Sequence, residues 1–75
     1  MPIIMRKLFK VIDGNGAQTD AVDSISHGEA AIAREFGISG SDLPKYATKR
    51  QNSKSFTAYR SPSGAFREIV PAQAR

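Results

Sequence analysis

Residues 30–39 are AAIAREFGIS, and this stretch decides how the middle of the chain folds. Good helix formers dominate it, and its apolar residues recur at helical spacing, which predicts a short amphipathic helix. Gly37 follows the last of these residues, Phe36. Because glycine adopts the left-handed conformation at little cost, it commonly ends a helix at this point. We therefore predict a helix that ends at Gly37.

The predicted start of this helix is a capping box at Ser26–Glu29. In such a box the serine hydroxyl accepts the Glu29 N–H, and the glutamate carboxylate accepts the Ser26 N–H. The helix then spans residues 27–36, and His27, the single histidine, is exposed in its first turn. The residues expected on its buried side are Ala30, Ala33, Phe36 and the adjacent Ile32.

A second helix start follows at residues 39–42, SGSD. Proline is tolerated in a first helical turn, so Pro44 limits this helix to about two turns beginning at Asp42–Pro44. A helix-turn-helix needs a small residue where its helices touch, a glycine at the turn and apolar residues that hold the second helix. The residues that fit these roles are Ala33, Gly37, Ile38, Leu43 and Tyr46. The alternative is one core helix followed by an irregular connection.

Strand-forming residues flank these helices on both sides. Residues 6–12 are rich in strand formers and precede a turn at Asp13–Gly16. Residues 17–25 form either a returning strand or a loop. Lys54–Arg60 and Ala65–Val70 are predicted strands.

The connection Ser61–Gly64 between the last two strands has proline and glycine where a type I turn favours them. A hairpin folded at this turn is expected to place Tyr59 opposite Phe66. The same register places Phe56 opposite Ile69, which gives two favourable cross-strand pairs.

Length and composition make this one small domain. The chain has 75 residues, 40% of them hydrophobic, and no cysteine. We predict a single α+β domain over residues 1–75, with an N-terminal strand or hairpin, one main helix, a short second helix and a C-terminal β-hairpin. Residues 1–5 and 71–75 are expected to be frayed. A small secreted domain usually needs disulfides, so the composition favours the cytoplasm.

The sequence gives no support for catalysis, a metal site or a cofactor. One histidine without cysteine offers neither a zinc ligand set nor a recognisable nucleophile–base pair. The turn at Asp13–Gly16 resembles the start of a calcium loop, but a glycine and a glutamate are required further on, where Gln18 and Ser24 stand. We therefore interpret it as a turn.

Positive charge is concentrated in the C-terminal part of the chain. Residues 1–42 contain four basic and six acidic residues, whereas residues 43–75 contain seven basic residues and one acidic residue. A basic region on a small domain favours a polyanionic partner, and double-stranded DNA fits the helix-turn-helix hypothesis. The expected phosphate contacts are Lys45, Lys49, Arg50, Lys54 and Arg60. Ser39 and Ser41 are expected near the bases.

Several short segments also resemble a known family. They are Ser24–Ser26, Glu29–Ala31, Glu35–Ser39 with Ser41, and Lys54–Tyr59. Together they are similar to the NUMOD-type helix-turn-helix modules attached to phage and intron homing nucleases, over about residues 8–60. The resemblance implies DNA binding by a phage or mobile-element protein, with Ser39, Ser41, Lys45 and Lys49 facing the groove. Three departures are Pro44 in the second helix, the missing glycine before the closing aromatic residues, and the extra strand 65–70.

The alternative function is that of a small phage-type inhibitor that binds a host protein or nucleoprotein complex through its sheet. Lys54–Arg60 or Ala65–Val70 would then add to a partner's sheet. Tyr59 or Phe66 would lie at the centre of that interface. If the protein instead reads DNA, a domain of this size would gain affinity as a homodimer or within a larger assembly.

Overall fold

A computed structural model describes residues 8–48 and 57–72 of the chain. Its elements, in chain order, are β1 (Phe9–Ile12), β2 (Gln18–Val22), α1 (Ile25–Phe36), a 3₁₀ helix (Gly40–Tyr46), β3 (Thr57–Arg60) and β4 (Phe66–Pro71). Strands precede and follow the helices, so the α+β prediction is confirmed.

The strands form one antiparallel sheet in the order β2-β1-β4-β3. The first and last strands, β1 and β4, are paired at its centre, with Val11 opposite Ile69. β4 extends through Pro71, which is paired with Phe9, and the Ala72 N–H donates to the Leu8 carbonyl at 2.9 Å. The expectation that the chain frays from Pro71 is therefore wrong for Pro71 and Ala72.

The turn between β1 and β2 is held by the Asp13 side chain. Its Oδ1 accepts the backbone N–H groups of Asn15 and Ala17, both at 2.9 Å. The register shifts here, because Val11 faces Asp20 whereas Ile12 faces Gln18. The returning strand is thus confirmed as β2, and it ends at Val22.

The β3–β4 hairpin has a different register from the predicted one. Arg60 faces Phe66 and Tyr59 faces Arg67. The expected turn at Ser61–Gly64 is present, since the Gly64 N–H donates to the Ser61 carbonyl at 2.9 Å. Gly64, at φ 100°, is one additional residue before the strands pair, and such a bulge shifts every partner by one. The expected pairing of Tyr59 with Phe66 is therefore wrong, and Phe56 lies outside the described residues.

The main helix begins two residues earlier than predicted. Ser24, in the extended conformation, is the N-cap, and its hydroxyl accepts the His27 N–H at 3.1 Å. The capping box at Ser26–Glu29 is therefore wrong, and the Glu29 carboxylate instead accepts a hydrogen bond from the Tyr59 hydroxyl. The end of the helix is confirmed, because Gly37 is left-handed, with φ 73°.

The buried side of α1 also differs from the predicted one. Ala30 is exposed, contrary to the prediction, whereas Ala33 and Ile32 are buried as expected. Gly28 joins the buried side: a Cβ atom placed there would lie 2.9 Å from Ile69 Cδ1. Glycine thus allows α1 to approach the sheet closely. The core centres on Val11, Ile32, Leu43, Tyr59 and Ile69.

Replacing Gly28 by valine tests this close approach. Ile69 is fully buried and would have to shift to accept the new side chain, so we expect the free energy of unfolding to fall by about 2 kcal/mol. Chemical denaturation measures it. Gly40→Val is the matched control, because a Cβ at Gly40 meets nothing within 4 Å. Equal losses in both variants would contradict the proposed packing.

Two neighbouring serines test the position of the helix N-cap. Ser24→Ala removes the acceptor for the His27 N–H and is expected to lower the free energy of unfolding by about 1 kcal/mol. Ser26→Ala is expected to change it by less than about 0.5 kcal/mol, because Ser26 is exposed and does not cap the helix. The reverse ranking in urea denaturation would restore the capping box at Ser26.

Candidate nucleic-acid interface

The second helix is a 3₁₀ helix that begins at Gly40, two residues before the predicted range. Leu43 anchors it, being only 1% exposed and part of the core, and Ile38 packs against the same cluster. Tyr46 is half-buried at its end. A 3₁₀ helix rises about 2.0 Å per residue, so these seven residues span about 14 Å. Only a short row of side chains therefore faces outward.

The outward row contains three of the predicted contact residues. Ser39, Ser41 and Lys45 are all exposed, and the two serine hydroxyls lie 2.9 Å apart. The Asp42 carboxylate lies 3.5 Å from Lys45 Nζ, and the Lys45 side chain is 75% exposed. An exposed ion pair of this kind contributes little energy. Lys45 therefore remains available to an anionic ligand.

Arg60 lies at the end of β3 and is also exposed. Its guanidinium donates to the Gly64 carbonyl at 3.0 Å and lies 5.3 Å from the centre of the Phe66 ring. These contacts orient the guanidinium on the β3–β4 turn. A held, exposed cation loses less side-chain entropy on meeting a phosphate than a free one does.

The segment that follows the 3₁₀ helix pairs with β3, the strand that carries Arg60. Ala47 forms a bridge with Tyr59, and the Thr48 N–H donates to the Ala58 carbonyl at 2.9 Å. This pairing brings the end of the 3₁₀ helix alongside β3, so Lys45 and Arg60 are on the same edge of the sheet. Lys49, Arg50 and Lys54, the other predicted contacts, lie outside the described residues.

The described part of the chain is itself acidic. It contains five basic and seven acidic residues, so the remaining six basic residues of the chain are in its other segments. One of the five, Arg67, donates to Glu35 Oε1 at 2.7 Å and joins β4 to α1. Its role is structural.

A shallow open cleft of about 250 Å³ lies between β2 and α1, on the opposite edge of the sheet from β3. Asp20, Asp23, His27 and Arg34 contribute its polar side chains. His27 contacts the Asp23 carboxylate, and its side chain is 67% exposed, as predicted. Sequence reasoning missed this cleft, because its two walls are β2 and α1, and their packing against each other is a tertiary contact. Its two carboxylates make it a poor site for phosphate.

Two features that the hypothesis of strand addition requires are contradicted by the structure. β4 is paired on both sides, so Ala65–Val70 has no free edge to offer a partner. Tyr59 and Phe66 are 5% and 6% exposed, so neither aromatic residue is available to centre an interface. Both predictions are wrong, because β4 lies between β1 and β3 and because both aromatic rings are buried in the core.

Tyr59 instead belongs to the core, and its hydroxyl forms a hydrogen bond with α1. Burial raises the pKa of the Tyr59 phenol above its ordinary value of 10.0, and the Glu29 carboxylate beside it adds to the effect. The hydroxyl donates to Glu29 Oε2 at 3.2 Å and so links β3 to α1. This linkage fixes the strand that carries Arg60.

Across residues 8–48 and 57–72, no helix is long and apolar enough to cross a membrane. The same ranges contain no group of three histidine, cysteine or acidic residues placed to hold a metal ion. No family model matches the chain, and no curated protein or solved structure matches it either. The NUMOD-type resemblance therefore stays a prediction.

The Tyr59 environment predicts a measurable alkaline titration. Tyr46→Phe leaves Tyr59 as the single tyrosine, and we expect its phenolate absorbance to appear with a midpoint above pH 10.0. Because the pKa is raised in the folded state, this contribution to stability is complete below pH 10 and is lost as the pH rises further.

Adding Glu29→Gln removes the carboxylate charge and is expected to lower that midpoint only partly, since burial is the larger cause. The same protein unfolded in urea should titrate near the ordinary value of about 10. A folded-state midpoint at or below 10 would contradict the buried position of Tyr59.

Proposed function

We propose that this protein is a non-catalytic nucleic-acid-binding protein that contacts the phosphate backbone with its basic C-terminal half. The observation that carries the proposal is the pairing of Thr48 with Ala58. It brings the exposed Lys45 to the edge of the sheet where Arg60 is exposed. Phosphate contacts of this kind supply most of the affinity of sequence-independent binding.

The sequence adds positive charge directly after this pairing along the chain. Lys49 and Arg50 directly follow Thr48, and Lys54 precedes Thr57 by three residues. Residues 49–56 contain three basic residues and no acidic one. These three residues are therefore close in sequence to Lys45 and Arg60. Asp20 and Asp23, in contrast, line the cleft at the opposite edge. The acidic side favours one orientation on a polyanion.

Ser39 and Ser41 are the residues proposed to lie near the bases. They precede and enter the 3₁₀ helix that Leu43 anchors to the core. Exposed hydroxyls can donate to phosphates or to base edges. We propose double-stranded DNA as the partner, with this helix meeting the duplex at its N-terminal end. Because the helix is short, a homodimer or a larger assembly would supply the remaining affinity.

A salt titration with a fluorescent DNA duplex tests the proposed function. The wild type is expected to bind more weakly as salt increases, because each phosphate contact releases counterions. Lys45→Ala/Arg60→Ala should reduce the slope of log affinity against log salt by about 2, one unit for each contact removed. Adding Lys49→Ala and Arg50→Ala should reduce it further.

The matched control is Lys10→Ala/Arg34→Ala, which removes the same charge from β1 and α1, away from the edge strand β3. Arg34 lines the β2–α1 cleft, and Lys10 lies within β1, next to β2. We expect its salt slope to stay close to that of the wild type. An equal decrease of the salt slope in both double variants would show that the net charge of the protein, and not the position of Lys45 and Arg60, determines the binding. No binding by the wild type at low salt would reject the proposed function and direct the search toward a protein partner.

A further inference from the structure

The tip of the β1–β2 turn brings together two residues whose chemistry the proposed function does not use. Asn15 and Gly16 are adjacent and both exposed. Gly16 has a φ of 85°, and a Cβ placed on it would meet nothing within 4 Å. Gly16 thus carries no side chain, and the position where a Cβ would stand beside its nitrogen is open.

We propose that Asn15–Gly16 is a site of spontaneous covalent modification, in which the asparagine amide is converted to an acid. The deprotonated Gly16 nitrogen attacks Asn15 Cγ and forms a carbon–nitrogen bond, closing a five-membered succinimide ring. The bond from Cγ to the amide nitrogen breaks, and that nitrogen leaves as ammonia with a proton from solvent. Water then opens the ring at either carbonyl, leaving aspartate or isoaspartate at position 15. No atom is oxidised or reduced.

Asp13 controls how readily this reaction starts. The Gly16 N–H donates to the Asp13 carbonyl at 3.0 Å, so the attacking nitrogen is engaged while the turn is closed. Asp13 Oδ1 holds the Asn15 and Ala17 N–H groups at 2.9 Å, and these bonds hold the pKa of its carboxyl below the usual 3.8. The attack therefore requires local opening of the turn, a low-energy event at an exposed loop tip.

The isoaspartate product would damage this turn. It inserts one extra carbon into the backbone between Asp13 and Ala17, which are joined by a hydrogen bond from the Asp13 N–H to the Ala17 carbonyl at 2.9 Å. It also adds a carboxylate next to that of Asp13. β2 is an edge strand, and β1 is its only strand partner among the described residues. The modification is thus expected to loosen β2 and the cleft that it lines.

The experiment measures how the mass of the peptide that contains Asn15 changes with the time for which the folded protein is incubated. The folded protein is incubated at mildly alkaline pH in water enriched with heavy oxygen, transferred to ordinary water and then digested with trypsin. Cleavage after Lys10 and Arg34 releases peptide 11–34, which contains Asn15 and no other asparagine. We expect heavy oxygen to enter at position 15, with both acidic isomers separable by chromatography.

Asp13→Ala removes two side-chain hydrogen bonds of the turn, each worth about a fivefold change, and is expected to accelerate the conversion about 25-fold. Circular dichroism checks that this variant remains folded. Asn15→Gln should leave the peptide without heavy oxygen, which excludes Gln18 as the source. Wild-type protein unfolded in urea measures the rate without the turn.

Two results would overturn the proposal. One is an unchanged Asn15 in the folded wild type and in Asp13→Ala, at a time when the unfolded protein has fully converted. The other is an equal rate in Asp13→Ala and the wild type, because the Asp13 side chain would then not control the reaction.

Discussion

The contact between Gly28 and Ile69 sets the distance between α1 and the sheet, and much of the structure depends on it. Ile69 is fully buried on β4, the strand that β1 and β3 flank. Without a side chain at Gly28, Val22 and Ile69 approach the helix backbone directly. Ile32 then reaches the centre of the core. A larger residue would separate the two layers, since protein interiors leave few voids to absorb it.

That spacing also positions the surface proposed to bind nucleic acid. The helix ends at Gly37, and Leu43 inserts into the same core, which orients the 3₁₀ helix. Tyr59 reaches Glu29 on α1 and fixes β3. These buried contacts determine the positions of the two exposed cations, Lys45 and Arg60, although neither residue takes part in the core. The proposed function thus uses side chains whose placement is decided by buried neighbours.

The corrected predictions have specific physical causes. Ser24 and Ser26 both have side chains suited to capping, and local sequence favoured Ser26 because Glu29 stands three residues later. In the fold, Glu29 is used by Tyr59, which lies 30 residues away, and the helix starts at the earlier serine. The hairpin turn was recognised correctly, but Gly64 occupies a bulge position that moves each cross-strand partner by one. Both errors concern choices between near-equal local options.

The sequence alone determined the α+β class, the helix that ends at Gly37, the turn at Asp13–Gly16 and the separation of acidic from basic residues. These features depend on periodicity, glycine conformation and charge, which act over a few residues. The tertiary structure decided the strand order, the burial of Tyr59 and Phe66, and the pairing of the segment after the 3₁₀ helix with β3. It also created the cleft between β2 and α1. These features depend on contacts between residues far apart in the chain, and local preference carries no information about which distant partners will meet.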